Sequence, residues 1–261
     1  LISKPTWLPR IYSIDDFIFE VNNFNSASSL ELFFSFYDAY TSIVKKPHNL
    51  ERCFKWVHGL LEDFNEIDKA YTCPTEIFSY LSDVKRIESW YLDITSNKEE
   101  INDYLDFFKN LQHIYDKLQL ILKSKNLAYS GLAQRLLVDN GNQIPNWLKN
   151  NKKEKIIFIG LDALTNCQEK IIDNLLSKNI CDIFWDSDEY FINNLEQESG
   201  KFLRKYRKKW PAVLSETNND FLTLKKNIKI IGATKNINQV KLLANFLNEK
   251  AFSQDELKKV A

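Results

Sequence analysis

The segment Lys201–Trp210, KFLRKYRKKW, sets six cations, Lys201, Arg204, Lys205, Arg207, Lys208 and Lys209, among three aromatic rings, Phe202, Tyr206 and Trp210. Cations at this density neutralise phosphates and release counterions, and exposed rings stack on unpaired bases. The chemistry implied is contact with DNA, single-stranded where the rings are free to stack. A plainer reading of the same spacing is open: Phe202, Leu203 and Tyr206 fall three to four apart and would face a core. The cations would then form a solvated face, partly neutralised by the acidic DSDEYFINNLEQES that precedes it.

Two other groups could carry chemistry. Glu62, Asp63, Glu66 and Asp68 in LLEDFNEID might be read as a metal or acid-base constellation, but helical spacing gives Leu61, Phe64 and Ile67 the buried face and sends the carboxylates to water. His58 and His113 have no cysteine or histidine at ligand spacing. Cys53, Cys73, Cys167 and Cys181 are scattered with no CxxC pair, which disfavours zinc and a dense disulfide framework and reads as reduced thiols. No metal, cofactor or catalytic residue is expected. Trp56, Trp90, Trp147 and Trp185 are expected in the core.

The elements that must position the basic segment are set by Lys155–Glu169. Ile156, Ile157, Phe158 and Ile159 run into Gly160, a length and pattern that predict a strand buried on both faces. A turn, LDALT, and an amphipathic helix over Cys167–Leu176 follow, which makes half of a βαβ unit. Further strands are expected at Cys181–Trp185 and Ile228–Ile231, and helices at Glu189–Tyr206 and Asn238–Asn248. Before the turn-rich DNGNQIPNW and KNNKKEK the chain reads as helical, with amphipathic stretches after Asp15, over Leu30–Val44, Leu50–Lys69, Glu76–Tyr91, Ile101–Lys123 and Tyr129–Val138. WLPRIYSI could return as a further strand.

The expected fold class is therefore α/β, a mostly helical N-terminal part followed by a parallel-sheet βαβ part. Its expected divisions are residues 1–30, a strand and helix joining the sheet; 31–150, an insertion-like helical domain; and 151–261, a truncated α/β domain. Thirty-five basic and 35 acidic residues balance, so bulk charge argues for no particular partner. No apolar stretch is long enough to cross a membrane and no signal-peptide layout opens the chain, which reads as cytoplasmic. A start at Leu1 with no Met anywhere reads as an internal piece of a longer protein.

GLDALTNCQEKIIDNLL, through Gly160, Thr165, Gln168 and Glu169, resembles the strand-turn-helix segment of AddB-like subunits of bacterial helicase-nuclease recombination complexes, relatives of the UvrD and RecB helicases. FKWVHGLLEDFNEIDK and FWDSDEYFINNLEQESGKFLRKYRKKW are similar to segments of AddB-like proteins that carry a PD-(D/E)XK nuclease. The resemblance implies a P-loop helicase-like domain with a helical insertion, a DNA partner and a helicase-nuclease partner subunit. In the helicases an acid precedes the Gly of this strand; here Ile159 stands there, and no GxGKT phosphate loop or PD-(D/E)xK arrangement is visible. The resemblance thus implies a degenerate helicase-like fragment without catalysis of its own, used for DNA binding or scaffolding. The alternative is a helical scaffold for protein partners that does not bind nucleic acid.

Overall fold

The computed structural model describes residues 9–92, 98–141, 143–211, 217–226, 228 and 230–249. Helix α1 (Ile14–Asn22) starts where the Ser13 hydroxyl accepts from the Asp16 N–H, and ends as Asn23 turns left-handed at φ 57°. A short strand β1 (Asn25–Ser26) leads into α2 (Ser29–Ile43), whose start is fixed by a capping box between Ser28 and Glu31. Then follow α3 (Leu50–Lys69), capped by Asn49, α4 (Pro74–Leu92) and α5 (Lys98–Ser124). Strand β2 (Leu127–Ala128) pairs in parallel with β1, and α6 (Ser130–Asp139) and α7 (Gln143–Asn150) complete the helical part.

The six helical segments expected before the turn-rich boundary all form, with α2 and α4 packed on α5, and α1 and α3 on α6. Phe36, Phe64, Leu111, Ile114, Leu118, Leu122 and Leu132 are fully sealed. Burial of such side chains contributes about 1.5–3 kcal/mol each, before the entropy of ordering them is set against it.

A second parallel pair follows. Strand β3 (Ile156–Ile159) runs into α8 (Asn166–Ser177) and returns as β4 (Cys181–Phe184), in the register Ile156↔Cys181 to Ile159↔Phe184. After β4 come α9 (Glu189–Asn193), a 3₁₀ turn (Glu198–Gly200) and α10 (Lys201–Lys209). Residues up to Thr217 form one compact unit. A second unit, from Asn218 onward, holds α11 (Asp220–Thr223) and α12 (Asn236–Glu249). Among the described residues the fold is mixed α/β with two small parallel sheets.

Five expectations are corrected. Strand β3 is not buried on both faces, since Ile157 and Ile159 are 58% and 74% exposed while Phe158 is buried; a two-stranded sheet backed by α8 covers one face only. Pro9–Ser13 is not in a strand, and the rest of WLPRIYSI before it lies outside the described residues. Ile228, Ile230 and Ile231 are likewise outside any strand and exposed, because a β-branched run makes a strand only against a hydrogen-bonding neighbour. Glu189–Tyr206 is not one helix, for the chain doubles back so tightly that a Cβ at Gly200 would lie 1.8 Å from the Phe191 carbonyl oxygen. The turn-rich boundary contains a helix, α7, in which Pro145 sits in the first turn where a missing N–H costs nothing, and Ile144 and Leu148 face the core.

Candidate nucleic-acid interface

The residues singled out around Gly160 acquire definite jobs. Gly160 has φ +68°, a conformation that favours glycine, and its N–H donates to the Phe184 carbonyl across the sheet at 3.3 Å. Thr165 caps α8: its hydroxyl accepts from the Gln168 N–H at 3.2 Å, while the Gln168 side chain accepts from the Thr165 N–H at 3.0 Å. The same hydroxyl donates to Gln134 Oε1 of α6 at 2.7 Å, which ties the cap to the helical part. Ile159, the last residue of β3, points an apolar side chain to solvent.

Glu169 is the hinge between this unit and the basic helix. It is 6% exposed, receives Lys205 at Oε1 in a short contact, and receives Lys209 at Oε2 at 3.0 Å. Lys209 also reaches Asp173 at 2.8 Å. Partial burial works against the Lys209 charge, but the hydrogen bonds it donates to Asp173 and Glu169 outweigh it and hold the ammonium above its ordinary value. Asp173 also accepts from the Trp210 indole at 2.7 Å. Tyr206 accepts from the Leu164 N–H at 2.8 Å, and its ring packs against Trp185 at 5.3 Å and Trp210 at 5.2 Å, which also meet each other at 6.2 Å.

The six cations of α10 therefore divide. Arg204 points inward, donating to the carbonyls of Phe191 at 2.6 Å, Asn194 at 2.9 Å and Gln197 at 2.8 Å, so the residue expected on DNA fastens the doubled-back 189–200 segment. Lys205 and Lys209 are engaged by α8. Lys201, Arg207 and Lys208 are exposed and make no ion pair among the described residues. They line an open groove together with buried Ile192 and with Leu195, which is 80% exposed. Tyr206 and Trp210 are buried, so these two rings serve the core, as the plainer spacing argument expected for Tyr206 but not for Trp210.

A second charged cluster was misread from sequence. Asp68 is fully buried rather than turned to water: it accepts from the Tyr115 hydroxyl in a short contact, from the Tyr129 hydroxyl at 2.5 Å and from Arg135 Nε at 2.5 Å. Burial pushes its carboxyl above the ordinary value, and those hydrogen bonds pull the other way. Arg135 also donates to the carbonyls of Ile67 and Thr72, and the Cys167 thiol donates to the Asp68 carbonyl at 3.1 Å. Burial drives the Tyr115 and Tyr129 phenols well above their ordinary values, with Asp68 adding to the effect. The signal was present: Asp68 extends the buried stripe Val57, Leu61, Phe64 by four more residues. Every polar group in the cluster is turned on a neighbour, which makes it a fastening of α3, α5, α6 and α8. Glu62 and His58, by contrast, are exposed and pair at 3.2 Å.

No family model, curated protein or solved structure matches this chain. Among the described residues no helix is long and apolar enough to cross a membrane.

Proposed function

We propose that this chain is a non-catalytic part of a DNA-repair or recombination protein of the helicase-nuclease kind, a degenerate helicase-like module that contributes DNA binding or scaffolding. The observation that carries the reading is the division of charge on α10: Arg204, Lys205 and Lys209 are engaged by hydrogen bonds and ion pairs, and Lys201, Arg207 and Lys208 stand exposed without an ion pair among the described residues, on a helix whose other side is anchored. An anchored helix presents its cations to a phosphate backbone with little backbone freedom left to lose on binding. The Gly160, Thr165, Gln168 and Glu169 positions of the AddB-like resemblance fall on the turn, cap and ion-pair hinge that hold that helix. With Ile159 at the end of β3, the reading assigns no nucleotide hydrolysis to these residues.

Fluorescence anisotropy with a short labelled single strand at low salt tests it. The parent should bind, and the K201A/R207A/K208A variant, with an unchanged circular dichroism spectrum, should bind much more weakly. Equal binding by the two would remove α10 from the interface. Arg204 is left intact because its loss would loosen the segment beneath it.

One observation favours the scaffold reading. Ile157, Ile159 and Phe184 expose an apolar patch on β3 and β4, and the buried rings of α10 offer no stacking platform for bases. On that reading neither protein binds DNA.

A further inference from the structure

Helices α1 and α7 enclose an open groove, far in sequence from α10, whose lining is unlike the rest of the surface. Asparagine is about one residue in ten of the chain, yet six of the fifteen lining residues are asparagine, and none is Lys or Arg. Along α7, Gln143, Asn146, Trp147 and Asn150 recur at i, i+3, i+4 and i+7, so one helix face turns three amides and an indole into the groove. From α1, Asp16 and Glu20 stand four apart, both exposed. Tyr12 meets Trp147 edge-on at 6.5 Å; Arg10 donates to the Tyr12 hydroxyl at 3.4 Å but is not part of the lining.

Two acceptors in this lining have no donor. Asn22, 8% exposed, commits its Nδ2 to the Ala133 carbonyl at 2.7 Å, which fixes the amide and leaves Oδ1 buried and unpartnered. Gln143 Oε1 is buried and unpartnered as well. Buried acceptors without a donor are costly, and a ligand that brings N–H groups relieves that cost.

We infer that this groove binds an extended, basic peptide segment of a partner protein. An extended main chain alternates N–H and C=O, and side-chain amides match it because each carries both a donor and an acceptor. Trp147 and Tyr12 offer faces to the stems and charged heads of Lys or Arg. Asp16 and Glu20 supply the opposite charge, and the lack of cations in the lining disfavours phosphate-bearing ligands. The site lies apart from the basic surface of α10, so the inference does not depend on DNA binding.

The probe is a fluorescein-labelled octapeptide alternating lysine and serine, titrated against the whole chain, with an octapeptide alternating glutamate and serine and the neutral sugar maltotriose as comparisons. The basic peptide should bind and shift the side-chain amide signals of Asn22, Asn146 and Asn150 in nitrogen-proton correlation spectra. Glu20→Lys should weaken it by about tenfold or more, as charge reversal at a contact does, and N146A/N150A should weaken it without changing its salt dependence. Glu51→Lys, an equally exposed reversal on α3, should leave it unchanged. The inference is overturned if the basic peptide fails to bind at millimolar concentration, if Glu51→Lys weakens it as much as Glu20→Lys does, or if the acidic peptide or maltotriose shifts those amides in its place.

Discussion

The Asp68 cluster and the α10 surface both bring together more charge than an ordinary core tolerates, and they resolve it in opposite ways. Around Asp68 one carboxylate receives two phenols and a guanidinium, and the guanidinium also donates to two backbone carbonyls, so the carboxylate is closed off by its own neighbours. On α10 the anions number fewer than the cations: Glu169 and Asp173 engage Lys205 and Lys209, and Lys201, Arg207 and Lys208 remain over. The comparison teaches that a dense charged cluster is a fastening when donors and acceptors close on each other, and a surface for partners when one sign is in excess.

The largest effect expected from breaking the comparison is at Asp68. Asp68→Ala leaves Arg135 and two phenols buried without their acceptor, and should cost about 3–5 kcal/mol in urea unfolding. A change under about 1 kcal/mol would show that the cluster carries little of the fold. Gly131→Ala should follow, since a Cβ there would stand 2.3 Å from the Asn65 carbonyl oxygen where α6 crosses α3; overpacking of this kind costs about 1–3 kcal/mol.

Thiol labelling sharpens the contrast between the two regions. Burial pushes the thiols of Cys53 and Cys181 up to about 11 and that of Cys167 up to about 12, so at neutral pH these three should resist a maleimide while exposed Cys73 reacts at once. As urea is raised, Cys181, in the two-stranded sheet with one open face, should become reactive before Cys53 in the helical core. The reverse order would place the weaker region among the helices. Smaller still is Glu169→Gln, which should lower stability by about 1 kcal/mol and strengthen DNA binding by releasing Lys205, while Lys209 keeps its pair with Asp173. Calorimetry with Mg-ATP should show no heat of binding, given Ile159 at the end of β3.

Helix positions were legible because apolar residues at 3.6-residue spacing leave little choice of element, and the buried side of α10 followed from Leu203 and Tyr206 by the same rule. Strands β3 and β4 were legible as short apolar runs, but how many neighbours a strand has is a long-range fact, so the open face of Ile157 and Ile159 was not. Asp68 was misassigned because residue type was given precedence over its place on the Val57–Leu61–Phe64 stripe. The inward turn of Arg204 depends on the close passage of Gly200 beneath Phe191, which no local pattern encodes. The groove between α1 and α7 was hidden for a related reason: α7 lies in a stretch rich in Asn, Gly and Pro, where turn chemistry masks a helical face.

The three cations left over on α10 set the salt dependence expected of single-strand binding. Each phosphate neutralised on a single strand contributes about 0.7 to the slope of log affinity against log salt. The slope should therefore flatten by about 2 in K201A/R207A/K208A, with the circular dichroism spectrum unchanged. A slope equal to that of the parent, or no binding by the parent at low salt, would contradict the assignment of α10 to DNA.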